Sequence, residues 1–267
     1  IDYARFFAAR YYNAPSSGRT GNLSFVFNEG ADIHLEIAPR AGRPAPELAA
    51  AMGAKLAYER AIWHEIITFF PPASATSFDE RFSSFAPEDN FSNAVGVLAG
   101  YRAILSPPEV GFDVAAQRAL HGILARLGPV HRPEETDAAI GFVKNHWWTS
   151  GTFPPAKRRN FDAFSPVRPW LVTDIAIDGK DDEGDALRES LARPKAASIH
   201  IPAEHAGQPL DSLAHFEFRN LPAALAALVP ALPVIRSSDL PAVVAKIRDE
   251  ARTIHGNDVD SPGRAAP

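Results

Sequence analysis

The residues best suited to chemistry lie in one short apolar stretch, residues 58–68, with the sequence Y-E-R-A-I-W-H-E-I-I-T. At about 100° per residue, a helix aligns four polar side chains of this stretch on one face. These are Tyr58, His64, Glu65 and Thr68. A carboxylate and an imidazole in such apolar surroundings need partners, because burying an unpaired charge is costly. We therefore predict His64 and Glu65 as catalytic side chains, and Tyr58 and Thr68 as substrate-binding ones.

The same stretch carries H-E-x-x-T, which differs at one decisive position from the zinc-protease signature H-E-x-x-H. Thr68 replaces the second histidine, so the helix face with two zinc ligands is absent. A divalent metal held by mixed nitrogen and oxygen ligands remains compatible with the residues. In that case His64, Glu65 and Asp89 are the expected ligands. The alternative is a buried polar network that only ties helices together, since structural networks often imitate active sites.

A second stretch, residues 84–100, reads S-F-A-P-E-D-N-F-S-N-A-V-G-V-L-A-G. Pro87, Glu88 and Asp89 predict a helix start, with proline at its first position and acids in its first turn. Asp89 then shares one face with four small or polar residues, which are Ser92, Asn93, Gly96 and Gly100.

Packing of that face on the first helix would bring Asp89 and Asn93 to His64 and Glu65. We predict Glu88 and Asp89 as further catalytic carboxylates, and Ser92 and Asn93 as substrate-binding residues. The alternative is that the two acids only complement the helix dipole.

Together, A-Y-E-x-A-x-W-H-E and S-F-A-P-E-D-N-F-S-N-x-x-G resemble a bacterial envelope family, the domain of unknown function DUF4056. The sequence retains its characteristic residues, which are His64, Glu65, Thr68, Pro87, Glu88, Asp89, Ser92, Asn93 and Gly96. Members often carry lipoprotein-type signal peptides. The resemblance therefore implies a cell-envelope protein, periplasmic or lipid-anchored through a segment that precedes Ile1. It implies a site, but no particular chemistry.

The sequence departs from the family pattern at several positions. Phe69 stands where the family has Trp, and Ala86 stands where a capping Ser is usual. Near the start, I-D-Y-A resembles the family stretch I-D-x-A-H-x-R-D, but Arg5 and Phe7 occupy its His and Arg positions. If that histidine acts in relatives, its loss favours a non-catalytic protein. A further similarity at R-N-F-D, residues 159–162, extends the resemblance to about residue 175.

Composition excludes several kinds of partner and binding site. The chain has 267 residues and a net charge of −5, with a pI near 6.0, so no nucleic-acid partner is expected. It contains no cysteine, which excludes disulfides and thiolate metal ligands. No apolar run approaches the roughly 20 residues that span a bilayer. The expected partner is a small molecule or an envelope component.

The hydrophobic pattern and the turn residues predict an α+β fold: a helical core around the two helices, with short antiparallel strands on one side. Predicted helices cover residues 1–12, 46–70, 87–100, 113–127, 133–148, 221–228 and 240–255. Predicted strands cover residues 23–27, 32–38, 167–175, 197–201 and 214–219. We expect residues 1–255 to form a single α+β domain and residues 256–267 to form a disordered tail.

Two functions are compatible with these residues. The first is a hydrolase of the bacterial envelope, possible with or without a metal, that uses Glu65 as general acid or base. The second is a non-catalytic binding or scaffold protein in which the same cluster fixes helix packing. Access to a cleft and a strongly raised pKa of Glu65 would favour the first.

Overall fold

The computed structural model describes residues 1–24, 30–70, 83–128, 132–144, 146–149, 156–171 and 198–262. Its helices are α1 (Asp2–Tyr12), α2 (Pro46–Phe69), α3 (Asp89–Ile104), α4 (Phe112–Leu127), α5 (Pro133–Lys144), α6 (Ala223–Leu228) and α7 (Leu240–His255). Its strands are β1 (Arg19–Asn22), β2 (Asp32–Ile37), β3 (Glu204–His205), β4 (Gln208–Pro209), β5 (Ala214–Arg219) and β6 (Ile235–Arg236). All strand pairs are antiparallel. The α+β prediction is confirmed.

Helix α2 is the central element of the fold. It begins at Pro46 and ends at Phe69, as the proline and the apolar pattern predict. Residues 49–58 are buried without interruption, so the helix is covered on every side over nearly three turns. Pro71 and Pro72, which we expected to end the helix, lie outside the described residues.

Helix α1 lies against α2 and α3 at unusually short range because glycines face it. A Cβ atom at Gly53 of α2 would lie 2.3 Å from the carbonyl oxygen of Ala4 and 2.7 Å from the Cβ of Ala8. A Cβ atom at Gly100 of α3 would lie 2.9 Å from the Cβ of Ala4. Two glycines and two alanines therefore let three helix backbones approach one another closely.

The contacts of α3 differ from the prediction in two ways. The helix begins at Asp89 and not at Pro87, because residues 87 and 88 form a turn. Its small-residue face, at Gly100, receives α1 instead of α2. The first turn of α3, at Asp89, reaches Glu65 of α2.

The larger sheet has the strand order β1-β2-β5-β6. The predicted strands at residues 23–27 and 32–38 suggested a hairpin, but β2 pairs with Arg19–Asn22, with Asn22 opposite His34. Strand β1 therefore precedes the strand predicted at residues 23–27, and residues 25–29 lie outside the described part. The predicted alternation is confirmed, because Ile33, Leu35 and Ile37 are buried.

Aromatic side chains join the sheet to the helices. The rings of Trp63 on α2 and Phe218 on β5 are stacked, with centroids 3.8 Å apart. Phe7 of α1 meets Phe216 of β5 edge-on at 5.3 Å. Since aromatic side chains supply large buried areas, these pairs fix α1 and α2 on the sheet.

The remaining elements follow the predictions with shifted ends. Helices α4 and α7 lie where they were expected, and Gly128 ends α4 in a left-handed conformation. Helix α5 stops at Lys144, four residues before the predicted end. Of the strands predicted at residues 167–175 and 197–201, the described residues form a single bridge between Val167 and Ile199.

Residues 256–262, which follow α7, belong to the range predicted as a disordered tail, and that prediction stays untested. Residues Asn257–Asp260 form a 3-10 helix in which Val259 is buried. The carboxylate of Asp260 pairs with Arg252 at 2.6 Å and with Arg248 at 3.1 Å. Residues 263–267 lie outside the described part. In the described ranges, no helix is both long enough and apolar enough to cross a membrane.

The close approach at Gly53 yields a test of the helix packing. We expect Gly53→Ala to lower the free energy of unfolding by about 1–3 kcal/mol, since the added methyl overpacks a backbone contact. Gly122→Ala is the matched control, because a Cβ atom there meets nothing within 4 Å. That substitution should raise stability by up to about 1 kcal/mol, the ordinary gain in helix propensity. Urea denaturation measures both, and equal effects would contradict the close packing.

Candidate functional site

Glu65 is a buried carboxyl group on α2, with 6% of the residue exposed. Its Oε2 accepts a hydrogen bond of 2.7 Å from the backbone N–H of Phe85. Burial raises the pKa of Glu65 to about 7, with a further increase from the nearby charge of Asp89. The Phe85 N–H and His64 act in the opposite direction, because both favour the ionised form.

Asp89, in the first turn of α3, forms a carboxyl pair with Glu65. The two side chains share a hydrogen bond that favours the protonated form of Glu65 and the ionised form of Asp89. Desolvation and the charge of Glu88 raise the pKa of Asp89 to about 6. Oδ2 of Asp89 also accepts the N–H of Ala86 at 3.0 Å. Near neutral pH the two carboxyl groups therefore hold about one proton between them.

His64 and Glu88 flank this pair. His64 is half-buried, and its charge lowers the pKa of both Glu65 and Asp89, so it lies close to the two carboxyl groups. Glu88 is exposed, but partial desolvation raises its pKa and the charge of Glu65 adds to the effect. The structure thus brings together all four residues predicted to be catalytic.

The turn before α3 supplies two backbone donors to the carboxyl pair. Its central residue, Phe85, has a φ of 53°, a left-handed conformation that is rare for a bulky side chain. Phe85 is fully buried, and its ring lies 4.9 Å from that of Phe161. Its carbonyl accepts the N–H of Asn160 at 2.8 Å. This conformation directs the Phe85 N–H to Glu65 and the next N–H, that of Ala86, to Asp89.

Three buried polar residues that we did not predict support this turn. Asn90 donates to the carbonyl oxygen of Asn160 at 2.5 Å, and Arg159 donates to Ser84 Oγ at 2.9 Å. Arg159 is 3% exposed and Asn160 is fully buried. The only sequence signal was the R-N-F-D similarity at residues 159–162, because the pairing joins segments about 70 residues apart.

The predicted substrate-binding residues occupy different positions. Tyr58 is buried, its pKa is raised by burial and by Glu65, and its hydroxyl lies 3.4 Å from the carbonyl oxygen of Asn90. The hydroxyl of Thr68 donates within α2, to the carbonyl oxygens of His64 and Glu65.

The other two substrate-binding candidates lie on α3. Ser92 is exposed, and its hydroxyl donates to the carbonyl oxygen of Asp89. Asn93 is half-buried. Contact with a substrate stays a prediction for all four.

The geometry does not support the metal-ligand role expected for His64, Glu65 and Asp89. Across the part of the chain that the structure describes, no group of three or more such side chains is arranged to hold a metal ion. Glu65 and Asp89 instead direct oxygens to backbone N–H groups and to each other. The raised pKa values of Glu65 and Asp89 favour neutralisation of the pair by a proton.

The raised pKa values of the pair predict the direction in which stability changes with pH. In the unfolded chain both carboxyl groups ionise near pH 4, so between about pH 4 and 7 the folded protein binds more protons than the unfolded one. The contribution of this pair to the free energy of unfolding therefore falls as the pH rises through this range.

Glu65→Gln keeps an acceptor for Phe85 and a donor for Asp89, and it mimics the protonated acid. We expect the stability of this variant relative to wild type to rise by about 2 kcal/mol between pH 5 and pH 8. Urea denaturation at the two pH values measures the difference.

Glu217→Gln is the control. Glu217 is also buried, but hydrogen bonds from Arg219 and Arg236 lower its pKa. Its stabilising contribution is therefore complete above about pH 4, and this variant should stay less stable than wild type by a constant amount from pH 5 to pH 8. Parallel curves for wild type and Glu65→Gln would contradict the shared proton.

The chain is similar to one family of proteins. The model of a family described as a protein of unknown function (DUF4056) matches residues 32–170, which is more than half of the chain. The matched range contains α2, the Phe85 turn, α3 and residues 159–162, but it starts after the resemblance near Ile1. No curated protein and no solved structure matches the chain. The protein therefore belongs to the DUF4056 family of proteins of unknown function.

Proposed function

We propose that the protein is an enzyme that uses the Glu65–Asp89 pair for general acid–base catalysis, and that its reaction is a hydrolysis. The observation that carries the proposal is the pair itself: two hydrogen-bonded carboxyl groups with pKa values of about 7 and 6. A catalytic acid or base works best when its pKa lies near the working pH. Ordinary surface carboxylates, with pKa values near 4, do not meet this condition.

The arrangement divides the two tasks of a hydrolysis between two side chains. The ionised member of the pair can accept a proton from an attacking water, while the protonated member donates one to the leaving group. The hydrogen bond within the pair favours Asp89 as the base and Glu65 as the acid. His64 lowers both pKa values and keeps the loss of the shared proton within reach of neutral pH.

Access to solvent is compatible with this chemistry on the Asp89 side. Glu65 is buried, but His64 and Asp89 are half-buried and the adjacent Glu88 is exposed. Glu88 also lines a groove of about 500 Å³ between α3 and α4. A substrate in this groove would approach the pair from the Pro87–Glu88 turn.

The proposal includes a location in the bacterial envelope, periplasmic or lipid-anchored. Its support is the resemblance of the two motif stretches to an envelope family. It assigns no role to a metal ion, because the described residues offer no three-ligand group.

A structural role is the second candidate, and one observation favours it. Glu65 is only 6% exposed and links α2 to the Phe85 turn by a hydrogen bond. The pair would then fix the packing of α2 against the Phe85 turn and α3, as buried polar groups do in some proteins. A structural pair has no need of a reactive, accessible oxygen, so chemical reactivity separates the two functions.

A carboxylate-directed epoxide, para-nitrophenyl glycidyl ether, tests this reactivity. In the labelling reaction a carboxylate oxygen attacks the epoxide carbon, the ring C–O bond breaks, and the leaving oxygen takes the proton of the neighbouring acid. The product is a hydroxyalkyl ester. We expect Asp89 or Glu65 to be labelled at least about 10-fold faster than Asp249, with a maximum between pH 6 and 7. Peptide mass spectrometry gives the rates.

Asp249 is an internal reference, since its side chain is 69% exposed and therefore open to the reagent. Asp89→Asn should abolish the fast labelling of Glu65, and Glu65→Gln that of Asp89, because each removes half of the acid–base pair. Slow, uniform labelling of exposed carboxylates with an unreactive pair would leave the structural role as the better explanation.

A panel of chromogenic esters, glycosides and phosphates tests the reaction class. On any class that the wild type hydrolyses, we expect kcat to fall by about 100-fold or more in both Glu65→Gln and Asp89→Asn. The pH dependence should rise and fall around the two pKa values of the pair. Turnover that is unchanged in both variants would contradict the assignment of these residues.

A further inference from the structure

The groove beside the carboxyl pair is lined mainly by apolar side chains. Leu120, Leu124 and Leu127 of α4 face Phe91 and Val95 of α3 across it. The groove is closed by residues from two later segments, which are Trp147, Pro169 and Trp170. Leu124 is 37% exposed, and Phe91 and Trp170 are half-buried. Apolar surface left open in a concave site gains free energy when a ligand covers it.

The rings of Trp147 and Trp170 contact each other in this groove. Their ring centroids lie 6.0 Å apart at an interplanar angle of 62°. Trp147 is 7% exposed, and its indole N–H donates to the carbonyl oxygen of Pro262 at 3.2 Å. Because that hydrogen bond holds the buried ring, Trp170 has a rigid surface to pack against and presents its own ring to a ligand.

Two groups can carry charge at the groove, the carboxylate of Glu88 and the amino group of Ile1. Among the described residues that line it, no other side chain is charged, and Ser92 is the one hydroxyl. Glu88 also precedes Asp89 directly, and the charge of Glu65 acts on it. The polar end of the groove therefore lies next to the proposed catalytic pair, and it favours a positively charged or hydrogen-bond-donating group.

The volume decides between a small molecule and a macromolecular partner. About 500 Å³ falls within the usual range of small-ligand sites, which is about 300–1,000 Å³. We propose that the groove binds a small amphiphilic molecule, with its aromatic or aliphatic body against Trp170, Phe91 and Leu124 and its amine, amide or hydroxyl group at Glu88. That this molecule is the substrate rests on the proposed function, whereas binding itself does not.

Two fluorescent probes that differ by one charge test the ligand class. N-phenylnaphthylamine is neutral and carries an N–H donor, and anilinonaphthalenesulfonate adds an anionic sulfonate to the same aromatic body. We expect wild-type protein to bind the neutral probe at least about 10-fold more tightly, with quenching of tryptophan emission. In Glu88→Gln the sulfonate probe should gain affinity, so that the ratio of the two dissociation constants falls at least about 3-fold. An unchanged ratio would overturn the role of Glu88.

A matched pair of substitutions locates the binding. Leu124→Glu places a charge on the groove wall at a position that is already partly exposed, so the fold tolerates it. It should weaken the neutral probe at least about 10-fold. Ile254→Glu is the control, because Ile254 is 58% exposed and does not line the groove. Equal affinities in the two variants, or no binding to wild type, would overturn the proposal.

The variant Glu65→Gln distinguishes ligand binding in the groove from catalysis by the carboxyl pair. It should bind the neutral probe as wild type does, because Glu65 does not line the groove. Probe binding without a reactive carboxyl pair would support the groove and contradict catalysis. A reactive pair without probe binding would leave catalysis standing and overturn the ligand class.

Discussion

The burial of Glu65 on α2 is the constraint on which the rest of the site depends. A carboxyl group taken out of water must be neutralised or satisfied by hydrogen bonds. The described contacts of Glu65 use both means, since it accepts one backbone N–H and shares a proton with Asp89. The buried charge of Lys55 is neutralised in a different way. That residue is also buried on α2, but it has two carboxylates, of Glu59 and Asp211, at 2.5 and 2.6 Å.

The need to satisfy Glu65 accounts for the conformation of the turn before α3. Phe85, whose N–H donates to Glu65, has a left-handed φ of 53°, which is unfavourable for its side chain. The surrounding contacts hold it there: a buried ring, the N–H of Asn160 on its carbonyl, and the Asn90–Asn160 hydrogen bond behind it. Strain of this kind persists at functional sites because the neighbouring structure over-determines it.

Two adjacent carboxyl groups with raised pKa values also have a stability cost, which bears on the two candidate roles. Raised carboxyl pKa values mean that the folded protein loses stability as the pair ionises near neutral pH. An amide would satisfy the same backbone N–H without that loss. The catalytic role that we propose would account for two ionisable groups at this cost, and the groove lined by Glu88 lies beside them.

The sequence alone determined most of the helices and the four acid and imidazole residues of the site, which are His64, Glu65, Glu88 and Asp89. Proline at residue 46, the uninterrupted apolar pattern of α2 and the position of His64 and Glu65 within it are local signals, and the structure agrees with them. The pairing of this stretch with Asp89 also followed from the sequence. Tertiary structure alone decided the rest: β1 as the partner of β2, the fit of α1 at Gly53, and the N–H of Phe85 on Glu65. These depend on contacts between segments tens of residues apart, where no local propensity specifies which backbone group meets which side chain.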